Sequence, residues 1–168
     1  EFEGKPVYCA QTAYAGRPSR LYRNLGDGRF ADSSEASGIA ASSGRALGVV
    51  AIDYDGDGRQ DLFVARDASP NLLLHNEGGG KFTDVGLEAE VAYNPDGIAR
   101  AGMGVDAGDV NGDGRPDFVV TNFDTEYHAL YLNGGRLPFR EATVASRLAA
   151  LTKPYVGWGV RFLDYDND

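Results

Sequence analysis

One pattern returns three times in register and limits what this chain can fold into. Gly48-Val-Val-Ala-Ile-Asp53-Tyr-Asp-Gly-Asp-Gly58, Gly104-Val-Asp-Ala-Gly-Asp109-Val-Asn-Gly-Asp-Gly114 and Gly159-Val-Arg-Phe-Leu-Asp164-Tyr-Asp-Asn-Asp168 align on their first loop aspartate, at positions 53, 109 and 164. A second pattern is interleaved with it. Leu21-Tyr-Arg-Asn24, Leu73-Leu-His-Asn76 and Leu130-Tyr-Leu-Asn133 are short apolar runs ending in Asn. Each is followed by Gly-rich residues, then by Phe30, Phe82 or Phe139, and two residues later by an acid, Asp32, Asp84 or Glu141. Two linked patterns sharing one period mark a chain built from structural repeats.

Within a repeat, β-type runs are predicted at 47–53, 61–65, 71–75 and 81–85, and in the next copy at 103–109, 117–121, 129–132 and 138–141. Four short strands separated by Gly, Asp and Asn turns suit an antiparallel meander. The 23 glycines, about twice ordinary usage, fit such a turn-rich chain. The predicted fold is therefore all-β, with four-stranded meanders stacked as β-propeller blades. A β-helical solenoid is the alternative, although its repeats are shorter. Residues 141–150 have room for a helical turn or two.

The copies are unequal. Residues 21–45 read as the end of one blade, 46–100 and 101–155 as full blades, and 156–168 as a first strand with a truncated loop. A closed propeller needs 4–8 blades, so the expectation is a fragment of a longer propeller. Its uncovered blade edges invite self-association. In the residue before each repeated Gly-Val stand Leu47, Met103 and Trp158, an apolar position that reads as packing between blades. Asp106 and Arg161 occupy one equivalent position and are expected to face each other across neighbouring blades.

The formal charge is −9, and ten acids in the three loops carry it; without them the chain would stand at +1. This concentrated negative charge excludes nucleic acid as a partner, since phosphate binding needs clustered Lys and Arg. No run approaches 18 apolar residues, which excludes a helical membrane span. No signal peptide is visible, and the start at Glu1 suits an internal piece. Cys9 is the single cysteine, so no disulfide forms within the chain; it reads as a thiol or as the partner of a cysteine elsewhere.

The loops carry the chemistry. The first places Asp53, Asp55, Asp57 and Asp61 at positions 1, 3, 5 and 9; the second places Asp109, Asn111, Asp113 and Asp117 there. Position 7, Arg59 or Arg115, would add a backbone carbonyl, and Gly58 or Gly114 at position 6 permits the bend. The third loop supplies Asp164, Asp166 and Asp168 but lacks the later positions. Two carboxylates about 5 Å apart repel by roughly 3 kcal/mol at an effective dielectric near 20, so several converging on one point call for a cation. Hard oxygen donors with no His or Cys in the loops favour Ca²⁺ over Zn²⁺ or Cu²⁺, and the donor number favours it over Mg²⁺. These are not EF-hands: position 12 is Val64 or Val120 rather than Glu, and the flanks are β-type. His75 and His128 lie near third strands without a second His or Cys at metal spacing, and both read as partly exposed and non-catalytic. No nucleophile elbow such as Gly-x-Ser-x-Gly is present.

The loops at 53–61 and 109–117, each leading into Phe-Val, resemble FG-GAP/VCBS repeats. Leu21-Tyr-Arg-Asn-Leu-Gly-Asp-Gly-Arg-Phe30 and Gly157-Trp-Gly-Val-Arg-Phe-Leu-Asp-Tyr-Asp-Asn-Asp168 further resemble the ASPIC/UnbV, cartilage-acidic-protein-like subfamily. The resemblance covers residues 21–168. It implies a seven- or eight-bladed propeller, secreted or at the cell surface, with calcium in the loops. Asn111 departs from the pattern and lowers the charge of the second loop. Three functions are consistent with these residues: a binding or adhesion scaffold for a protein or glycan ligand, part of a calcium-stabilised propeller enzyme such as a polysaccharide lyase, and an accessory protein of a biosynthetic gene cluster. The scaffold reading accounts for every distinctive residue, because no acid–base constellation is evident.

Overall fold

A computed structural model describes Gly4 and residues 13–166 of the chain. Cys9 and Asp168 lie outside the described residues. Two four-stranded antiparallel meanders dominate. The first runs β5 (Ala46–Ile52), β6 (Asp61–Arg66), β7 (Leu72–Gly78) and β8 (Lys81–Asp84), and the second β9 (Gly104–Gly108), β10 (Asp117–Thr121), β11 (Ala129–Leu132) and β12 (Arg140–Glu141). Before them, β2 (Tyr22–Asn24) pairs with β3 (Phe30–Asp32), and β1 (Arg17–Pro18) with β4 (Ser43–Gly44). Helical structure is slight: α1 (Ser34–Ser37), a 3₁₀ turn (Ile39–Ala41) and α2 (Leu148–Thr152), the last near the stretch left open for a helical turn. The chain is all-β, with its meanders stacked as propeller blades.

The stacking explains the strand sequences. β6 and β10 are second strands with a neighbour on each side, and both faces are covered; β10 is buried at all five residues. Alternate residues of β6 therefore serve two cores. Phe63 and Ala65 join Phe118, Val120, Tyr131 and Phe139 in the core between the two meanders. Leu62 and Val64 turn the other way, toward Ile39 and Leu21. Phe63 and Phe118 meet at 4.8 Å between ring centroids, and Phe118 and Phe139 at 5.2 Å, both tilted. Aromatic pairs at such distances add to the gain from burial alone.

The repeated Gly-Val has a steric cause. A Cβ on Gly48 would come to 2.9 Å from the Met103 carbonyl oxygen, and one on Gly104 would overlap the Trp158 carbonyl oxygen. Successive copies approach backbone to backbone at this point, and only glycine leaves the space. Met103 and Trp158, each the apolar residue before a Gly-Val, thus contribute their carbonyls to the junctions. Its side chain follows the surroundings: Met103 is buried, while Leu47 and Trp158 are exposed.

One expectation needs correction. The first strand expected within 156–168 is not formed: among the described residues, 159–163 carry no strand. The segment instead lies beside the second meander, where Thr121 Oγ1 donates to the Trp158 carbonyl at 2.6 Å. Asp106 reaches this segment, where its Oδ2 accepts the Phe162 N–H at 2.7 Å.

If close approach at the glycines holds the meanders together, Gly104→Ala will destabilise the chain by about 1–3 kcal/mol in urea unfolding. Gly134 has open space around its Cβ position, so Gly134→Ala serves as the control and should stay within about 0.5 kcal/mol.

Candidate metal sites in the loops

Both complete loops join the first and second strands of a meander, and they share one hydrogen-bond frame. Asp53 Oδ1 accepts the N–H groups of Gly56 at 2.8 Å and Asp57 at 3.1 Å, and its Oδ2 that of Gly58 at 2.8 Å. Asp109 repeats this with Gly112, Asp113 and Gly114 at 2.8, 3.1 and 2.7 Å. Asp55 and Asn111 each accept the N–H two residues on, as do Asp57 and Asp113. The chain turns with Gly56 and Gly58 at φ +78° and +85°, and with Gly112 and Gly114 at +73° and +83°. Position 4 thus needs glycine as much as position 6, a requirement the loop motif alone did not identify.

The position-9 aspartates are fully buried. Asp61 Oδ2 accepts the Tyr54 N–H at 3.2 Å and its Oδ1 the Asn76 N–H at 2.7 Å. Asp117 does the same with Val110 at 3.1 Å and Asn133 at 2.7 Å. One carboxylate therefore ties its loop to the third strand. Burial pushes the Asp61 carboxyl up, against the lowering effect of its two N–H donors. For Asp53 the N–H groups of Gly58, Gly56 and Asp57 together outweigh desolvation and hold the carboxyl below its ordinary value. For Asp109 the Gly114 N–H leads the same lowering.

The asparagines that close the second sequence pattern also belong to this frame. Asn76 Oδ1 and Asn133 Oδ1 accept the N–H groups of Gly78 and Gly135, which makes the Asx turn after the third strand. The free amide of Asn133 crosses to the neighbouring meander and donates to the Tyr54 carbonyl at 2.8 Å. Tyr54, at position 2 of the first loop, packs its ring against Phe139 at 5.9 Å. The first loop is thus part of the junction between meanders. Its buried environment and the surrounding carboxylates, Asp55 foremost, push the Tyr54 hydroxyl up to about 12. Arg59 and Arg115 extend their side chains to the carbonyls of Asn76 and Asn133, and each pairs with the position-5 aspartate of its own loop.

In the first loop, carboxylate oxygens of Asp53, Asp55 and Asp61 lie within 4.8 Å of one another. A second trio, Asp55, Asp57 and His75, meets the same limit. Among the described residues the second loop gathers no such trio of ionisable groups; Asn111 supplies an amide oxygen where the first loop has Asp55. Asp164 and Asp166 are exposed, and among the described residues they too belong to no such cluster. His75 is partly exposed, as expected, but it is not remote from the loop. Its strand lies two away from the loop's first strand, and pairing brings the imidazole against the carboxylates, a proximity that linear spacing does not show. His128 has another surrounding: its Nδ1 accepts the Asn122 N–H at 3.2 Å, and burial pushes its pKa down.

Comparison with known proteins agrees with the repeat pattern. A family model described as an FG-GAP-like repeat matches the chain three times, over residues 7–64, 53–120 and 109–168. The chain is 31% identical to cartilage acidic protein 1 of Homo sapiens over 191 residues, covering 99% of this chain and 28% of that protein. It is 35% identical to cartilage acidic protein 1 of Mus musculus over 111 residues, covering 64% of this chain and 16% of that protein. The chain thus spans less than a third of the length of these relatives.

Replacing the buried tie tests the frame. Asp61→Ala orphans the N–H groups of Tyr54 and Asn76, each at a cost of about 1–3 kcal/mol, so a total loss of about 2–6 kcal/mol is expected in urea unfolding. Exposed Asp166→Ala should cost less than about 0.5 kcal/mol. Equal losses would refute the role given to Asp61.

Proposed function

The chain belongs to the FG-GAP-like repeat family, and from that premise we propose that it is a calcium-binding propeller module acting as a secreted or cell-surface scaffold for binding or adhesion. The convergence of three carboxylates in the first loop carries this reading. Calcium takes oxygen ligands at about 2.3–2.6 Å, so two of its ligands lie at most about 5 Å apart. The Asp53, Asp55 and Asp61 oxygens fall within that span. The residues fit the ion.

In this reading Asp53, Asp55, Asp57 and Asp61 hold one calcium with the Arg59 carbonyl, and Asp109, Asn111, Asp113 and Asp117 hold another with the Arg115 carbonyl. Asp164, Asp166 and Asp168 begin a third site. A bound cation would offset the mutual repulsion of the carboxylates and stiffen the loop. Stiffening the first loop fixes Tyr54, and with it the contact to Phe139 and the hydrogen bond from Asn133 across the junction. The loops at the opposite ends of the strands, such as 67–71 and 122–128, would then be presented on a rigid frame to a protein or glycan ligand. No helix among the described residues is long and apolar enough to cross a membrane.

Calorimetric titration of the full chain with Ca²⁺ should give saturable binding, and at a hundredfold excess over Kd each site should add about 2.7 kcal/mol to stability. A chelator should reverse the gain. Asp53→Ala should remove the first site and Asp109→Ala the second. A flat titration, with unfolding unchanged by Ca²⁺ or chelator, would overturn the proposal.

A further inference from the structure

The connection from β8 to β9 packs against the second meander, where the Phe139 N–H donates to the Ala89 carbonyl at 3.1 Å. Between the two lies a cleft of about 460 Å³, a volume usual for small-molecule sites. Leu87, Tyr93, Asn94 and Pro95 line it from the connection, and Tyr131 of β11 and Glu141 of β12 from the meander. Asn94 Oδ1 accepts the N–H groups of Asp96 at 3.0 Å and Ile98 at 2.8 Å, which fixes this rim and leaves the Asn94 amide NH₂ to donate. Tyr93 is 39% exposed and offers ring surface.

Tyr131 is the residue the fold does not account for. It is only 3% exposed and lines the cleft, yet its hydroxyl makes no hydrogen bond among the described residues. A buried tyrosine hydroxyl ordinarily has a partner. Burial pushes this one up to about 12, so it stays a proton donor at neutral pH. Glu141 beside it is half used: Oε1 accepts from Arg100 Nη2 at 3.2 Å and from Thr143 Oγ1 at 3.0 Å, while Oε2 accepts from no described residue. Arg100, buried and 4.3 Å over the Tyr127 ring, holds that carboxylate in place.

We propose that this cleft binds a neutral saccharide. The Tyr131 hydroxyl and the Asn94 amide donate to sugar hydroxyls, Glu141 Oε2 accepts from another, and Tyr93 lies against the C–H face of the ring. The inference deepens the scaffold reading by giving it a ligand class and a site. Charge selects a neutral ligand. Glu90 and Glu141 line the cleft and repel an anion, whereas Arg100 already compensates Glu141, so a cation gains little. A hydroxyl both donates and accepts, as this mixed set of groups requires.

Saturation-transfer NMR of the full chain with glucose, galactose, mannose and N-acetylglucosamine, beside charged glucuronate and glucosamine, tests the assignment. At least one neutral sugar should bind, more tightly than either charged one, and should shift the amide resonances of Tyr93, Asn94 and Tyr131. Tyr131→Phe keeps the ring and removes the hydroxyl, and should weaken binding about tenfold. Tyr93→Ala should weaken it about two- to tenfold, and this exposed site serves even if Tyr131→Phe fails to fold. Tyr155→Ala, exposed and outside the cleft, should change nothing. No binding of a neutral sugar, tighter binding of a charged one, or affinity indifferent to Tyr131→Phe overturns this inference and leaves calcium uptake by the loops standing. A flat calcium titration with sugar binding intact would instead sink the calcium reading alone.

Discussion

The buried carboxylate at position 9 of each complete loop is the interaction on which the rest of the structure depends. Asp61 and Asp117 have no access to solvent, and each accepts two backbone N–H groups, one from position 2 of its loop and one from the third strand. A charged group is costly to bury unless its hydrogen-bonding capacity is met. Here it is met by donors from two segments that local sequence does not otherwise join. The loop closes over the second strand because this carboxylate needs both partners, and the third strand is held in register for the same reason.

From that tie the structure spreads sideways. The N–H that Asp61 anchors belongs to Tyr54, whose carbonyl accepts from Asn133 of the next meander and whose ring meets Phe139. A loop, a third strand and a fourth strand from two different copies are thereby coupled. At the other end of the first strands the contact is steric, with Gly48 and Gly104 admitting the carbonyls of Met103 and Trp158. The stack is thus held polar at the loop end and by close backbone approach at the strand start, with the aromatic core of Phe63, Phe118 and Phe139 between. Equivalent positions differ in burial: Phe30 is exposed while Phe139 is buried, although both occupy one place in the repeat.

Much of this was legible in the sequence because repetition reports on packing. Strands β6 and β10, the loops between first and second strands and the four-strand unit all follow from alternation, turn residues and period. The acids after each Phe and the asparagines were visible as a pattern, but their work was not. The Asn133 amide bonds across 79 residues of chain, and no local rule predicts such a partner. His75 was set aside for the same reason. Metal spacing is a rule about neighbours along the chain, whereas β-pairing makes neighbours of residues from separate strands. The segment 159–163 shows the converse: its sequence has strand character, yet it forms no ladder.

The two loops also separate frame from chemistry. Asn111 accepts the Asp113 N–H at 3.0 Å, as Asp55 accepts that of Asp57 at 3.2 Å, although one side chain is neutral and the other charged. The bend therefore does not require charge at position 3; it requires an oxygen acceptor two residues before an N–H, and glycine where φ turns positive. Charge at that position is left free to vary, and so is the third-strand residue facing the loop, His75 or Leu132. A repeat of this kind can hold its backbone constant through hydrogen bonds while each copy sets its own electrostatics. Copies that look alike in outline are then free to differ in what they bind.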